Sequence, residues 1–267
     1  MSLTKIMKTR TQIGFTLVEI AIVMFIMALI LGTGLTLLSA QQDQRKIEDT
    51  ASKLNDAREA LIGFALAYGR LPCPADPTIA SGTTGAGQEA GTCTTTSISG
   101  GILPWATLGV SETDAWGRRF SYQVTNIYAD TISSHSYGND NNTSYTCDHT
   151  HLCTLTSDLQ YSSFALCSCG GLTILSSAGG STLSTFVPAV IVSHGINGLG
   201  AYLPSGQRIL PVPATTTNEG ENSNIDDNFV SRPLTSANET GGYFDDQVVW
   251  LSPNILFNRM VQAGKLP

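Results

Sequence analysis

An uninterrupted apolar run near the N-terminus is the feature that most constrains this chain. No charged residue occurs from 20 to 38, and the leader before this run is basic, with three cations and no acid: Lys5, Lys8 and Arg10. Residues 15–38 would form about 36 Å of α-helix, whereas the hydrocarbon core of a bilayer is about 30 Å thick. We therefore expect a transmembrane helix over 15–38. The basic leader, residues 1–14, is expected in the cytoplasm and the long C-terminal part on the other side.

The stretch Gly14-Phe15-Thr16-Leu17-Val18-Glu19 lies where the leader meets the apolar run. A secretory signal peptide loses its apolar segment on cleavage, whereas a cut after Gly14 would keep this segment at the new N-terminus. A carboxylate such as that of Glu19 costs on the order of 3 kcal/mol inside a membrane helix. We expect Glu19 either to meet a cation, best supplied by the freed amine of Phe15 on another subunit, or to reach water at the cytoplasmic face.

This motif, followed by an apolar helix, resembles the prepilin processing signature of type IV pilins and type II secretion pseudopilins. The resemblance implies cleavage by a prepilin peptidase between Gly14 and Phe15, methylation of the Phe15 amine and an assembly role for Glu19. It implies a single-pass protein of the inner membrane with a periplasmic domain. Its partners would be other pilin-like subunits and the inner-membrane assembly platform.

A second periodic segment follows the apolar run. Its apolar residues recur at intervals of three, four and seven, as on one face of an amphipathic helix: Ile47, Leu54, Ala57, Leu61, Phe64 or Ala65, and Tyr68. Since no proline interrupts residues 15–68, the anchor and this segment are expected to form one helix of roughly 50 residues. Residues 39–72 would be its amphipathic half, ended by Gly69 and Pro72.

Residues 73–267 are expected to form one globular domain of the α+β class, in which the long helix packs on an antiparallel β-sheet. Strands are expected where alternating or β-branched apolar residues dominate, near 120–125, 161–166, 186–192 and 248–251. Long loops, pinned by disulfides, are expected where small and polar residues dominate, at 73–101, 134–153 and 212–242.

Two segments extend the resemblance into this domain. Residues 113–122 resemble the D-x-W-G-x-x-[FY]-x-Y strand entry of pseudopilins, with a plain hairpin as the alternative. Residues 193–200 resemble the S-x-G-x-D/N-G-x-G loop of the major pseudopilin. In that protein the following loop holds calcium, which prefers carboxylate, amide and carbonyl oxygens. The resemblance therefore implies a calcium site, or alternatively a solvated acidic loop, formed by Asp226 and Asp227 first and by Glu221, Asp245 and Asp246.

Six cysteines lie beyond the apolar run, in a compartment that permits disulfides. We favour a bond between Cys73 and Cys93. A bond between Cys147 and Cys153 would close a short loop, whereas Cys167 and Cys169 are too close in sequence to pair comfortably. The alternative is a zinc site of these last four cysteines with His149 and His151, although its spacing matches no standard zinc pattern.

Charge and motifs exclude other function classes. A formal net charge of −7 argues against binding to nucleic acid, which needs clustered lysine and arginine. No catalytic or nucleotide-binding motif is present, so we do not expect an enzyme. The sequence predicts a subunit of a type II secretion pseudopilus. The alternative is a minor type IV pilin with a binding or adhesion role at the tip, which is favoured by the extra cysteines and by Thr36, where major subunits commonly carry proline.

Overall fold

The computed structural model describes residues 14–91, 93, 98–129, 162–166, 168–236 and 242–266, with backbone alone for 30–40. Two compact units are present, which divide between Arg45 and Lys46. All of the β-strands among the described residues belong to the second unit.

The first helix, α1, runs from Leu17 to Tyr68. Its start is a capping box, because the Glu19 N–H donates to Thr16 Oγ1 at 3.3 Å and the Thr16 N–H donates to a Glu19 carboxylate oxygen at 2.9 Å. Its end is Gly69, which has a φ of +71° and donates its N–H to Ala65 O at 2.8 Å. The predicted end of the helix is therefore confirmed. Among the described residues, which leave out the side chains of 30–40, no helix is both long enough and apolar enough to cross a membrane.

Two β-sheets build the second unit. The first is antiparallel, in the order β1-β2-β5-β7, and comprises β1 (Ile98–Ile102), β2 (Ser121–Thr125), β5 (Ala189–Ser193) and β7 (Gln247–Trp250). The second has the order β4-β3-β6 and comprises β3 (Leu172–Leu175), β4 (Thr182–Val187) and β6 (Asn228–Val230). Four further helices are α2 (Trp105–Leu108), α3 (Asn126–Ala129), α4 (Asn218–Glu221) and α5 (Pro253–Gln262). The α+β class and the antiparallel sheet are thus confirmed.

The four-stranded sheet is covered on both faces. On one face, Tyr122 and Ile191 belong to a core that includes one side of α1, namely Leu54, Ala57, Leu61, Ile62 and Ala65. On the other face, Val190 and Val192 pack with Leu172 and Phe229 of the second sheet. Burial on both faces explains why residues 189–192 of β5 are all apolar rather than alternating. The predicted amphipathic stripe is buried from Leu54 to Ala65, whereas its first residue, Ile47, is half-buried and its last, Tyr68, is exposed.

The strand predictions were right in part. Strands lie at 121–125 and 247–250, and Pro188 divides the expected strand 186–192 between β4 and β5. The described residues of 161–166 do not form a strand, because Ser162 and Ser163 instead donate hydrogen bonds to the Gly69 carbonyl beyond the end of α1.

Two of the described strands lie where loops were expected. The β1 strand lies partly inside the segment 73–101, and β6 lies inside 212–242. The β1 strand was missed because it is built around glycine. A Cβ at Gly101 would lie 2.6 Å from the Ala75 carbonyl oxygen, so a neighbouring chain segment passes too close for a side chain.

The predicted disulfide between Cys73 and Cys93 is confirmed. Cys169 is also disulfide-bonded. The remaining cysteines of the notional zinc cluster lie outside the described residues, as do its histidines: Cys147, Cys153, Cys167, His149 and His151.

Candidate metal centre

Three acidic side chains converge in the second unit. Glu219 comes from α4, and Asp245 and Asp246 immediately precede β7. One oxygen from each lies within 4.8 Å of one from each of the others, and the three residues are only 8%, 3% and 3% exposed. Buried carboxylates are costly unless they are neutralised or paired with a cation. Among the described residues this is the one acidic group with the geometry to hold a metal ion.

Local structure fixes each acid in place. Thr217 caps α4 by accepting a hydrogen bond from the Gly220 N–H at 3.0 Å. Gly220 is required there, because a Cβ would lie 1.8 Å from the Ala214 carbonyl oxygen. Asp245 and Asp246 are held by strand pairing on either side, since Phe244 bridges to Thr235 and β7 pairs with β5.

Protein donors hold one oxygen of each carboxylate. The Asn197 backbone N–H and the Tyr243 hydroxyl donate to Asp245 Oδ2 at 2.7 and 2.9 Å. The Asn197 side-chain amide donates to Glu219 Oε1 at 2.9 Å, and the Asn222 amide donates to Asp246 Oδ2 at 2.9 Å. Asp245 Oδ1 is buried and accepts no hydrogen bond from the described part of the chain. The anchored oxygens orient the carboxylates and leave this oxygen available to a ligand.

The glycine-rich segment 193–200 passes directly beside these acids. Gly195 has a φ of +54°, and a Cβ there would lie 2.0 Å from the Asp245 carbonyl oxygen. Glycine thus allows the close approach that brings Asn197 into hydrogen-bond range of Asp245 and Glu219. The segment that resembles the pseudopilin loop is therefore one wall of the site.

The electrostatics of the site disfavour three negative charges. Burial raises the pKa of Glu219 to about 7, with a further contribution from Asp245. Burial also raises the pKa of Asp246 well above its usual range, and the nearby Glu219 and Asp245 add to this effect. Without a counter-charge the cluster therefore favours bound protons. A divalent cation would reverse this preference by favouring the ionised carboxylates.

A buried imidazole faces the cluster. His194 Nε2 lies 2.8 Å from Ser121 Oγ, and His194 Nδ1 lies 3.9 Å from Asp246 Oδ1. Within the described residues, Nδ1 has no hydrogen-bond partner, and the side chain is 1% exposed. Burial, with smaller contributions from the nearby Arg208 and Arg118, lowers the pKa of His194 to about 3. The ring is therefore neutral.

The structure brings together two of the five predicted calcium ligands, Asp245 and Asp246. Glu221, Asp226 and Asp227 are not in the cluster. They influence one another instead, because Asp226 raises the pKa of both neighbours after the larger effect of burial. The physical reason is that the Asp226 carboxylate turns back on its own loop, where it accepts hydrogen bonds from the Asn224 amide and the Asn228 N–H.

Sequence reasoning did not select Glu219, His194 or Asn197 for this site. For His194 and Asn197 the sequence signal was the glycine spacing of 193–200, which predicts a tight loop but does not specify its neighbours. Glu219 lay in the acidic stretch without a feature to distinguish it from Glu221.

The predicted processing and assembly residues lie at the other end of the described chain. Gly14, Phe15 and Glu19 are exposed, and the Glu19 carboxylate accepts hydrogen bonds from both the N–H and the hydroxyl of Thr16. Their proposed roles stay predictions.

Compared with protein families, curated proteins and solved structures, the chain gives no significant match to any of them.

Proposed function

We propose that this chain is a filament-forming, pseudopilin-like subunit that is cleaved after Gly14 and assembled into a type II secretion pseudopilus. The observation that carries the proposal is an exposed apolar helix that begins within three residues of the expected cut. In the same helix, the segment beyond Lys46 contributes to the core of a folded domain. This combination suits a subunit whose domain has its own core and whose N-terminal apolar surface is covered by other molecules.

The exposed apolar surface supports a membrane and filament role. Phe15 and Leu17 are 83% and 89% exposed, and Met24 and Phe25 are both about two-thirds exposed at 68% and 67%. So much contiguous apolar surface is unfavourable in water and indicates a lipid or protein environment. In this proposal, residues 15–38 span the inner membrane before assembly, with the leader in the cytoplasm and residues 73–267 in the periplasm. Packing against neighbouring helices then holds the filament together.

Cleavage is tested by mass spectrometry of the intact protein isolated from its native membrane. The expected species begins at Phe15 and carries one additional methyl group. A Gly14→Leu variant should keep the leader, because a large side chain obstructs cleavage at that position. A native polypeptide that begins at Met1 would overturn the proposal.

Glu19 supplies the test of assembly. We expect Glu19→Ala to enter the membrane normally but to be missing from sheared filaments, because its carboxylate would no longer pair with the Phe15 amine of a neighbouring subunit. Asp43→Ala is the matched control, since Asp43 is an exposed acid on the same helix. Normal incorporation of the Glu19 variant into filaments would contradict this role.

We further propose that a divalent cation occupies the Glu219–Asp245–Asp246 cluster and stabilises the domain. Calcium is the cation that the resemblance implies. Its expected effect is a higher melting temperature, lost on addition of a chelator, because a bound cation favours the folded state by mass action. An unchanged melting temperature with every cation tested would contradict this part of the proposal and leave the filament role intact.

The alternative function is that of a minor type IV pilin with a binding or adhesion role at the tip. It is favoured by the second sheet and the disulfide-closed loop, which enlarge the domain beyond a single helix and sheet. Deletion of the gene distinguishes the two functions. Loss of secreted enzymes supports the secretion role, whereas loss of attachment or twitching supports the pilus role. Catalysis and nucleic-acid binding form no part of either proposal.

A further inference from the structure

We propose that His194 completes the acidic cluster and makes it a mixed carboxylate–imidazole centre that selects zinc over calcium. This inference rests on the proposed cation site and specifies its chemistry. The juxtaposition that carries it is a buried imidazole nitrogen, without a hydrogen-bond partner in the described chain, 3.9 Å from an oxygen of Asp246.

Two buried polar atoms of the site, His194 Nδ1 and Asp245 Oδ1, have no hydrogen-bond partner among the described residues. An unsatisfied buried polar group costs about 1–3 kcal/mol, and more if it is charged. A single metal ion would satisfy both atoms at once, because a neutral imidazole nitrogen and a carboxylate oxygen are both metal ligands.

The other ring nitrogen of His194, Nε2, contacts Ser121. A metal-bound histidine usually donates its second N–H to a nearby acceptor, which fixes the ring orientation. Ser121 Oγ is 2.8 Å from His194 Nε2 and can accept that hydrogen bond. The ring is therefore already oriented with Nδ1 towards the carboxylates.

The number of donors matches a zinc site, and their spacing is somewhat wider. Three carboxylates and one imidazole supply four ligands, which is the coordination number of a structural zinc site. Donors about 2.0–2.1 Å from a tetrahedral zinc lie about 3.3 Å apart. The three carboxylate donors lie within 4.8 Å of one another, so they must draw together by at most about 1.5 Å. The imidazole nitrogen lies 3.9 Å from Asp246 Oδ1 but not within 4.8 Å of all the carboxylate donors, so the ring must also move towards Glu219 and Asp245 to complete the site.

The ligand types of this cluster favour zinc over calcium. Calcium takes six to eight oxygen ligands, whereas this cluster offers a nitrogen ligand and few free oxygens. Imidazole favours zinc over alkaline-earth cations, and zinc also ranks high in the general order of divalent metal affinity. Three carboxylates around a dication leave one net negative charge. Arg118 and Arg208 lie close enough to lower the pKa of His194, and their positive charges would offset this negative charge.

The test measures binding of Zn²⁺, Ca²⁺ and Mg²⁺ to the full chain in detergent micelles, by calorimetry and by metal content after gel filtration. We expect one tightly bound zinc ion per chain, with an affinity at least ~100-fold above that for calcium. His194→Gln should weaken zinc binding by ~100-fold and change calcium binding by less than about threefold. Asp245→Asn should weaken both.

Two controls isolate the site. Asp226→Asn makes the same acid-to-amide change outside the cluster and should leave zinc binding unchanged. The titrations are repeated in a chain with His149→Asn and His151→Asn, so that zinc held by those residues is not counted. Circular dichroism of the metal-free variants checks that each has folded.

A spectroscopic measurement keeps the test decisive if His194→Gln folds poorly. Co²⁺ bound to four mixed ligands absorbs strongly in the visible range, and Ser121→Ala should weaken its binding about 10–100-fold by removing the partner of Nε2. Zinc affinity of His194→Gln within threefold of the wild type would overturn the inference, and so would calcium binding as tight as zinc. Binding of calcium alone would overturn it while the cation proposal stands. Binding of no cation would overturn both, and the Glu19 experiment would still test filament assembly independently.

Discussion

The two parts of α1 have similar apolar side chains but opposite environments. Leu17 and Val18 are 89% and 66% exposed, whereas Leu54 and Leu61 are buried at 0% and 1%. The first pair lies in the unit that ends at Arg45, and the second pair lies in the folded domain. An apolar helical pattern thus indicates that a surface needs to be covered, but its own molecule covers it only in the second part. In the first part the apolar side chains stay exposed, which is the basis of the filament proposal.

The largest expected difference in stability between the two parts of α1 comes from truncating one large side chain in each. Leu61→Ala should lower the free energy of unfolding by about 2–5 kcal/mol, because it leaves a cavity in the core. Ile22→Ala, at a position 54% exposed, should leave it unchanged to within about 0.5 kcal/mol. Denaturant unfolding of the full chain in micelles, followed by tryptophan fluorescence, measures both. Equal losses would mean that the first part also stabilises the domain.

The disulfide offers the next largest effect, and it too is confined to the domain. Cys73 and Cys93 are 20 residues apart, so their bond should contribute about 3 kcal/mol by restricting the unfolded chain. We expect the double variant Cys73→Ser/Cys93→Ser to melt at a lower temperature in differential scanning calorimetry. The loop it closes includes Glu89, which pairs with Arg70 at 2.8 Å just beyond the end of α1. Membrane insertion of the variant should be normal, and a failure to insert would contradict the separation of the two parts.

Sequence reasoning succeeded where one local rule decided the outcome. Gly69 ends α1 because it adopts a positive φ, and alternating apolar residues identify β2. It failed where distant segments decided. The β1 strand has glycine because Ala75 passes close by, and Ser162 and Ser163 hydrogen-bond to the Gly69 carbonyl just beyond α1 instead of joining a sheet. Such contacts join residues far apart in sequence and leave no periodic signal.

The candidate site likewise combines features visible in the local sequence with features set by distant segments. Asp245 and Asp246 were expected as calcium ligands because of the family resemblance and their oxygen atoms, and the loop 193–200 was recognised by its resemblance to a glycine-rich loop. That the two meet depends on the pairing of β5 with β7. Glu219 joins the two aspartates only in three dimensions, and the loop sequence does not show that His194 lies beside Asp246, so neither residue could be selected beforehand.

A smaller prediction concerns a polar anchor in the covered part of α1. Thr50 is fully buried, and its Oγ1 accepts a hydrogen bond from the Ala115 N–H at 3.1 Å, in the turn that precedes β2. Thr50→Val keeps the shape but leaves this N–H unpaired, which should cost about 1–3 kcal/mol in denaturant unfolding. Thr50→Ser keeps the hydroxyl and should lose less. If Thr50→Ser loses as much stability as Thr50→Val, the packing around Thr50 is responsible and not its hydrogen bond.

The smallest expected effect on stability lies in the uncovered part, at the capping box. Thr16→Ala removes the hydroxyl that accepts from the Glu19 N–H, which should destabilise the first turn of α1 by about 0.5–2 kcal/mol. Faster hydrogen exchange of the first-turn amides, measured in micelles, would report this change. The folded domain should keep its melting temperature, because its core begins beyond Arg45.

The same variant separates two roles of Glu19. In the isolated chain its carboxylate accepts from the Thr16 N–H at 2.9 Å, so it stabilises its own helix. In a filament it would pair instead with the Phe15 amine of a neighbour. Thr16→Ala preserves the carboxylate and the backbone N–H, so we expect filaments at near wild-type levels, whereas Glu19→Ala abolishes them. An equally severe defect in both variants would mean that Glu19 acts by capping its own helix, and the pairing between subunits would then have no support.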